Sequence, residues 1–125
     1  MSFLLVAVGG ALGAVMRYAM GLLTLNLAAQ STGTVFPWAT LSINIAGSFA
    51  IGLLWNLFAD ANWFQEWGRA LLVVGLLGGF TTFSAFSLET LTLFESNKWH
   101  AAAYIFASIG GCLSAVAIGY WIGST

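Results

Sequence analysis

Charge is what this chain lacks most. Of 125 residues only seven are charged, 6%: Arg17, Asp60, Glu66, Arg69, Glu89, Glu95 and Lys98. An ordinary soluble domain carries about 25%. Hydrophobic residues make up 60% and mean hydropathy is +0.94. A chain this short cannot bury so much apolar surface inside itself, because small globules bury the smallest fraction of their surface. A soluble monomer is excluded, and so is a disordered protein, which needs low hydrophobicity and high charge. Net charge is -1 with no basic patch, so no nucleic-acid partner is expected. The single cysteine, Cys112, excludes an internal disulfide framework and a cysteine-based zinc site. No nucleophile–base pair or His/Asp/Glu metal constellation is visible, so the chain is not expected to be an enzyme.

What is there is hydrocarbon in long runs. Residues 18–59, 70–88 and 101–125 contain no Asp, Glu, Lys, Arg or His. A helix needs about 20 apolar residues to cross the hydrocarbon core of a membrane. The first of these runs holds the end of one helix and all of a second. The turn between them is expected over Ala29-Gln30-Ser31-Thr32-Gly33-Thr34, with Pro37 in the first turn of the next helix. The fold class is therefore an all-α membrane protein in one four-helix transmembrane domain, residues 1–125. Its spans are expected at about 3–27, 37–58, 67–94 and 99–122. Trp38, Trp55, Trp63, Trp67, Trp99 and Trp121 all fall near span ends, as in the aromatic belts at membrane interfaces. A cleavable signal peptide is not expected, because no basic residue precedes Arg17. An amphipathic surface helix is not expected either, since no segment has a strongly charged face.

Four spans place the N-terminus, the 59–66 loop and the C-terminus on one side. Loop Lys and Arg normally set orientation. Here Arg69 borders one side, Lys98 the other, and Arg17 leans toward the second. This near-balance is compatible with insertion in both directions and an antiparallel dimer, or with a single orientation set by weaker cues. Small-residue pairs recur as Gly9-x-x-x-Gly13, Ser48-x-x-x-Gly52, Gly75-x-x-x-Gly79 and Gly119-x-x-x-Gly123. They indicate close helix–helix contact and suit a homo-oligomer.

The third span is the most informative. At about 28 residues it makes roughly 42 Å of helix, about 10 Å more than the hydrocarbon core. Gly78-Gly79 and Thr81-Thr82 lie near its centre and predict an interruption. Broken backbone at membrane depth must line a cavity or be buried in protein. Its freed carbonyls suit a hard cation such as Na⁺. The competing reading is a tilted continuous helix with glycine for packing.

Polar side chains on the other spans sit at helical spacing. Thr40, Asn44 and Ser48 share a face, and Asn44 offers an amide donor suited to an anion or to a helix–helix hydrogen bond. Tyr104, Ser108 and Cys112 form a stripe on the fourth span. Phe83 and Phe86 share a helix face, next to Ser84 and Ser87. Ring edges carry partial positive charge and can contact a bare anion, although periodicity alone reads both rings as packing. Together these residues form a file of donors able to replace a hydration shell. Arg17, deep in the first span, either faces a polar vestibule and attracts anions or reaches to the interface. Glu89 is the one carboxylate inside a span and fits a pore mouth or a structural hydrogen bond. His100 is read as an interface residue.

The stretch Gly78-Gly79-Phe80-Thr81-Thr82-Phe83-Ser84-Ala85-Phe86-Ser87-Leu88-Glu89 resembles the signature of the Fluc/CrcB fluoride-channel family. Gly13–Tyr18 and Thr40–Gly47 are similar to that family's first and second helices. The resemblance runs over essentially the whole chain. It implies a dual-topology homodimer in the bacterial inner membrane, surrounded by lipid, that exports fluoride passively. It also implies two antiparallel pores and a structural Na⁺ at the dimer centre. By position, the backbone carbonyls of Gly78 and Thr81 would hold the Na⁺. Phe83 and Phe86 would line fluoride positions, and Asn44 matches the pore asparagine. Arg17 would be the vestibule arginine, Glu89 the acidic residue near the path, and Tyr104, Ser108 and Ser84 the polar track. Ala85 and Cys112 depart from the family's hydroxyl residues, which thins that track.

The alternative reading is a small dual-topology drug/proton antiporter. It needs a carboxylate at a membrane-embedded substrate site, usually in the first helix, where this chain has no Asp or Glu. A structural subunit without transport is a third reading, and it would need neither the broken third span nor the polar file.

Overall fold

The computed structural model describes residues 1–28 and 36–124; the turn expected over 29–34 lies outside them. Helix α1 spans Ser2–Ala28 and α2 spans Trp38–Phe58. A π-helix, Phe64–Leu77, runs directly into the short α3, Gly78–Phe80. After a break come α4, Phe83–Ser96, and α5, Lys98–Gly123. Four segments are long and apolar enough to cross a membrane: Ser2–Thr24, Trp38–Phe58, Phe64–Ser96 and Lys98–Gly123. The third begins three residues earlier than its sequence pattern suggested. Its start is set by rings: Trp63 and Phe64 pack at 5.6 Å, and Phe58 and Trp63 at 5.0 Å. Phe64 is thereby almost fully buried, at 1% exposure. Asn97 ends α4, its backbone N–H closing on the Leu93 carbonyl, and its side chain begins α5. Its Oδ1 accepts from the N–H groups of Trp99 and His100 at 3.0 and 3.2 Å, capping donors that a helix leaves open.

Glycine decides which helices touch. A Cβ on Gly9 or Gly13 would run into the backbone carbonyl of Leu71 or Leu76. A Cβ on Gly52 would meet the Val116 carbonyl, and one on Gly119 the Phe49 carbonyl. Residue numbers rise together across both contacts. So α1 lies parallel to the π-helix, and α2 lies parallel to α5. The second pair is also tied by Asn56 Nδ2, which donates to the Tyr120 carbonyl at 2.7 Å. The glycine pairs are therefore spent inside the chain. They give close approach where dispersion and backbone contacts drive association, and they are not left over for a second copy.

The two helix pairs are joined around the broken third span. Leu41, Phe86, Leu93, Ala101 and Tyr104 form a buried cluster linking α2, α4 and α5. Large apolar side chains face outward along the helices, among them Leu12, Leu23, Leu91, Phe106 and Leu113. That inverts the pattern of a water-soluble protein and suits a lipid environment.

Candidate ion pathway around the broken helix

The interruption falls at the threonines rather than at the glycines. Thr81 has φ -81° and ψ 159°, and Thr82 has φ -154° and ψ 119°, both extended. A β-branched side chain favours this conformation over a helical one. Gly78 and Gly79 stay helical in α3. Gly79 is needed for close approach, since a Cβ there would meet the Gly10 backbone of α1.

The break is clamped from α2. Asn44 Oδ1 accepts the Thr82 N–H at 2.8 Å, and Asn44 Nδ2 donates to the Thr82 carbonyl at 3.1 Å. Thr82 also caps α4: its Oγ1 accepts the Ala85 N–H at 3.2 Å. These bonds redirect two donors. In an unbroken helix the N–H of residue 82 would close on the carbonyl of residue 78, and that of residue 85 on residue 81. Here they go to Asn44 and to Thr82 Oγ1, which releases the Gly78 and Thr81 carbonyls from their helical partners. A hard cation takes oxygen ligands, and unwound backbone carbonyls supply them in membrane proteins. The two positions singled out for Na⁺ are thus among the carbonyls that the break leaves open. Among the described residues no group of three His, Cys, Asp or Glu side chains could hold a metal. A small cavity of about 200 Å³ lies beside Gly78 and Thr81, against Gly47 and Ser48 of α2.

A larger cavity of about 660 Å³ extends from Thr24, Trp38 and Thr92, near helix ends, down to Ala14 and Thr82 at mid-span. Arg17, Thr40, Ala85 and Glu89 line it. Arg17 is half-buried and makes no ion pair or hydrogen bond with the described residues. Glu89 is held by two hydroxyls. Thr40 Oγ1 donates to Oε1 at 2.7 Å, and the Tyr104 hydroxyl donates to Oε2 at 2.6 Å. Tyr104 is fully buried, so this network fixes one wall of the cavity.

The aromatic pair is split by burial. Phe83 and Phe86 have ring centroids 5.4 Å apart. Phe86 is 9% exposed and packs on Tyr104 at 5.3 Å, whereas Phe83 is 77% exposed. Ser84 is exposed, with its Oγ 3.2 Å from Thr82 Oγ1. Ser87 turns its hydroxyl onto the Phe83 carbonyl of its own helix. Ser108 is buried at 5% exposure and its Oγ has no hydrogen-bond partner among the described residues. Cys112 is half-buried one turn further along α5.

Thr40 and Thr82 are the positions of this hydrogen-bonded site that spacing did not isolate. Thr40 was legible as one member of the Asn44 face, but its partner Glu89 is 49 residues away. Thr82 carries a local signal, a threonine three residues before the N–H it caps.

The sequence matches the family model described as CrcB-like protein, Camphor Resistance (CrcB), over residues 4–120. The chain belongs to the CrcB family. It is 48% identical over 120 residues to a fluoride-specific ion channel FluC of Chelativorans sp., covering 95% of this chain and 93% of that protein. It is 47% identical to one of Rhizobium leguminosarum bv. trifolii, covering 93% and 90%. With one of Magnetococcus marinus it is 44% identical, with 94% of each covered. The CrcB match therefore includes both elements of the site, the α2 face around Asn44 and the break at Thr81-Thr82.

Proposed function

We propose that this chain is a fluoride-selective passive ion channel that carries fluoride out of the cytoplasm across the bacterial inner membrane. The carrying observation is the cavity that reaches the broken third span with, on its wall, an arginine that has no partner among the described residues. It occurs in a CrcB chain whose relatives bear the name of fluoride-specific ion channels. Arg17 supplies positive potential at mid-span, where a charge is costly and expresses function. Beyond it, the rings of Phe83 and Phe86 and the hydroxyls of Ser84 and Ser108 offer partial positive charge and donors, while Tyr104, its one proton committed to Glu89, holds the wall instead of serving the polar track. Such groups replace the hydration of a small anion without binding it too tightly to leave. Asn44 acts in this pathway mainly through the break it holds open, with one amide hydrogen committed to the Thr82 carbonyl.

The released Gly78 and Thr81 carbonyls are assigned to a structural Na⁺ at the centre of a homodimer. The ion supplies fixed positive charge that neutralises unpaired carbonyl dipoles at membrane depth. The homodimer is antiparallel. Arg69, stacked 4.5 Å from the Trp55 ring, borders one end and Lys98 opens α5 at the other, with Arg17 inside the first span leaning toward the Lys98 side. Loop charge then gives neither orientation an advantage. The antiporter reading loses support because both oxygens of Glu89 are committed to Thr40 and Tyr104. The deciding experiment is fluoride efflux from liposomes holding the purified protein. Efflux that is electrogenic, independent of a proton gradient and strongly selective over chloride is expected. An intact dimer that passes no fluoride overturns the proposal.

A further inference from the structure

The larger cavity is far roomier than a small inorganic anion requires. At about 30 Å³ per water molecule, 660 Å³ accommodates about twenty waters. That volume falls in the range of sites for organic ligands, about 300–1,000 Å³. Its walls are chiefly apolar, from Leu22, Ile43, Leu88 and the Trp38 ring. Against them stands the Arg17 guanidinium, with no partner among the described residues. A guanidinium presents a fork of N–H donors that matches a carboxylate or sulfonate in two parallel bonds. The other charged group on the wall, Glu89, already accepts hydrogen bonds at both oxygens. Space remains beside the arginine, since a Cβ on Gly21 would meet nothing within 4 Å among the described residues. The cavity reaches Trp38 and Thr24 near helix ends, and tryptophan is the side chain enriched at membrane interfaces.

We propose that this cavity binds an organic monoanion, a carboxylate or sulfonate on a compact apolar body, with its head on Arg17, and that the bound anion caps the pore from that face. Binding stands on the cavity alone; the capping half rests on the channel reading.

The test uses the full-length protein in detergent and 4-(trifluoromethyl)benzenesulfonate as probe, followed by ¹⁹F line broadening. Its neutral sulfonamide analogue serves as control. Saturable binding of the sulfonate is expected, weakened at least tenfold by Gly21→Leu and by Arg17→Gln. The neutral analogue is expected to bind no better than to empty micelles. Ala39→Leu fills the opposite wall and repeats the test should Gly21→Leu fail to fold. Equal broadening in wild type and in every folded filling variant means partition into detergent and overturns the site. So does binding that ignores the loss of Arg17. In liposomes the sulfonate is expected to slow fluoride efflux by wild type and to spare Gly21→Leu at the same concentration. Saturable binding with unslowed efflux overturns the capping half. Saturable binding by a protein that shows no efflux at all overturns the channel reading and the cap, and leaves the binding site standing.

Discussion

Asn44 grips the peptide of Thr82 by both of its polar groups, accepting at 2.8 Å and donating at 3.1 Å. The amide thus does for a broken helix what a neighbouring strand does for a sheet edge. It satisfies one N–H and one C=O that would otherwise face hydrocarbon, where an unpaired polar group costs several kcal/mol. The same contact leaves the Gly78 carbonyl without the donor that helical geometry would have brought to it.

Replacing Asn44 should therefore act through the third span. Asn44→Leu keeps the branched shape and removes both bonds, leaving two buried backbone groups unpaired at about 1–3 kcal/mol each. A large drop in the melting temperature in detergent and loss of fluoride efflux are expected. A variant that melts and conducts like wild type would show that the clamp is dispensable.

Close helix contact makes a sharp contrast between two glycines of α1. Gly13→Ala drives a methyl into the Leu76 carbonyl, whereas Gly21→Ala places one where no described residue lies within 4 Å. Overpacking costs about 1–3 kcal/mol. Size-exclusion profiles should show aggregation or loss of protein for Gly13→Ala, and a wild-type profile for Gly21→Ala. Equal behaviour of the two would refute the α1–π-helix packing.

Phe83→Ile and Phe86→Ile should both depress fluoride efflux by removing ring edges. Their stabilities should differ. Phe86 lies in the buried cluster with Leu41 and Tyr104, while Phe83 is exposed in the chain. Only Phe86→Ile should lower the melting temperature of the chain's own fold. Unchanged efflux in both variants would remove the rings from the pathway.

Sodium removal tests the released carbonyls. Exchanging Na⁺ for N-methylglucamine on both faces of the liposome should abolish efflux, and returning Na⁺ should restore it. Efflux that is indifferent to the exchange would leave the Gly78 and Thr81 carbonyls without their assigned ion.

Dual topology is testable by labelling. In a Cys112→Ser background, a cysteine at Asn62 should react with an impermeant thiol reagent from both faces of the membrane, as should one at Lys98. Reaction of each from one face only would establish a single orientation.

Much of this was legible one residue at a time. The scarcity of charge placed the chain in a membrane, because insertion depends on summed side-chain transfer energies that need no partner. The Thr81-Thr82 pair marked the interruption, because backbone preference is local. The neighbouring Gly78-Gly79 looked like part of the same signal. Only packing showed that Gly79 stays helical and serves the approach to Gly10. The small-residue pairs announced close contact, yet their spacing carries no information on whether the partner is another helix of the chain or a second copy.

The sequence by itself determined that this is a four-span helical membrane protein with a broken third span and almost no charge with which to handle an ion. Tertiary structure decided how that break is held and what faces it. Asn44 meets Thr82 across 38 residues, and Thr40 meets Glu89 across 49. Hydrogen bonds at such separations depend on which helices pack and in what register, and that is set by the glycine contacts of the whole bundle. With charge so scarce, their placement leaves Arg17 on the cavity wall with no partner among the described residues.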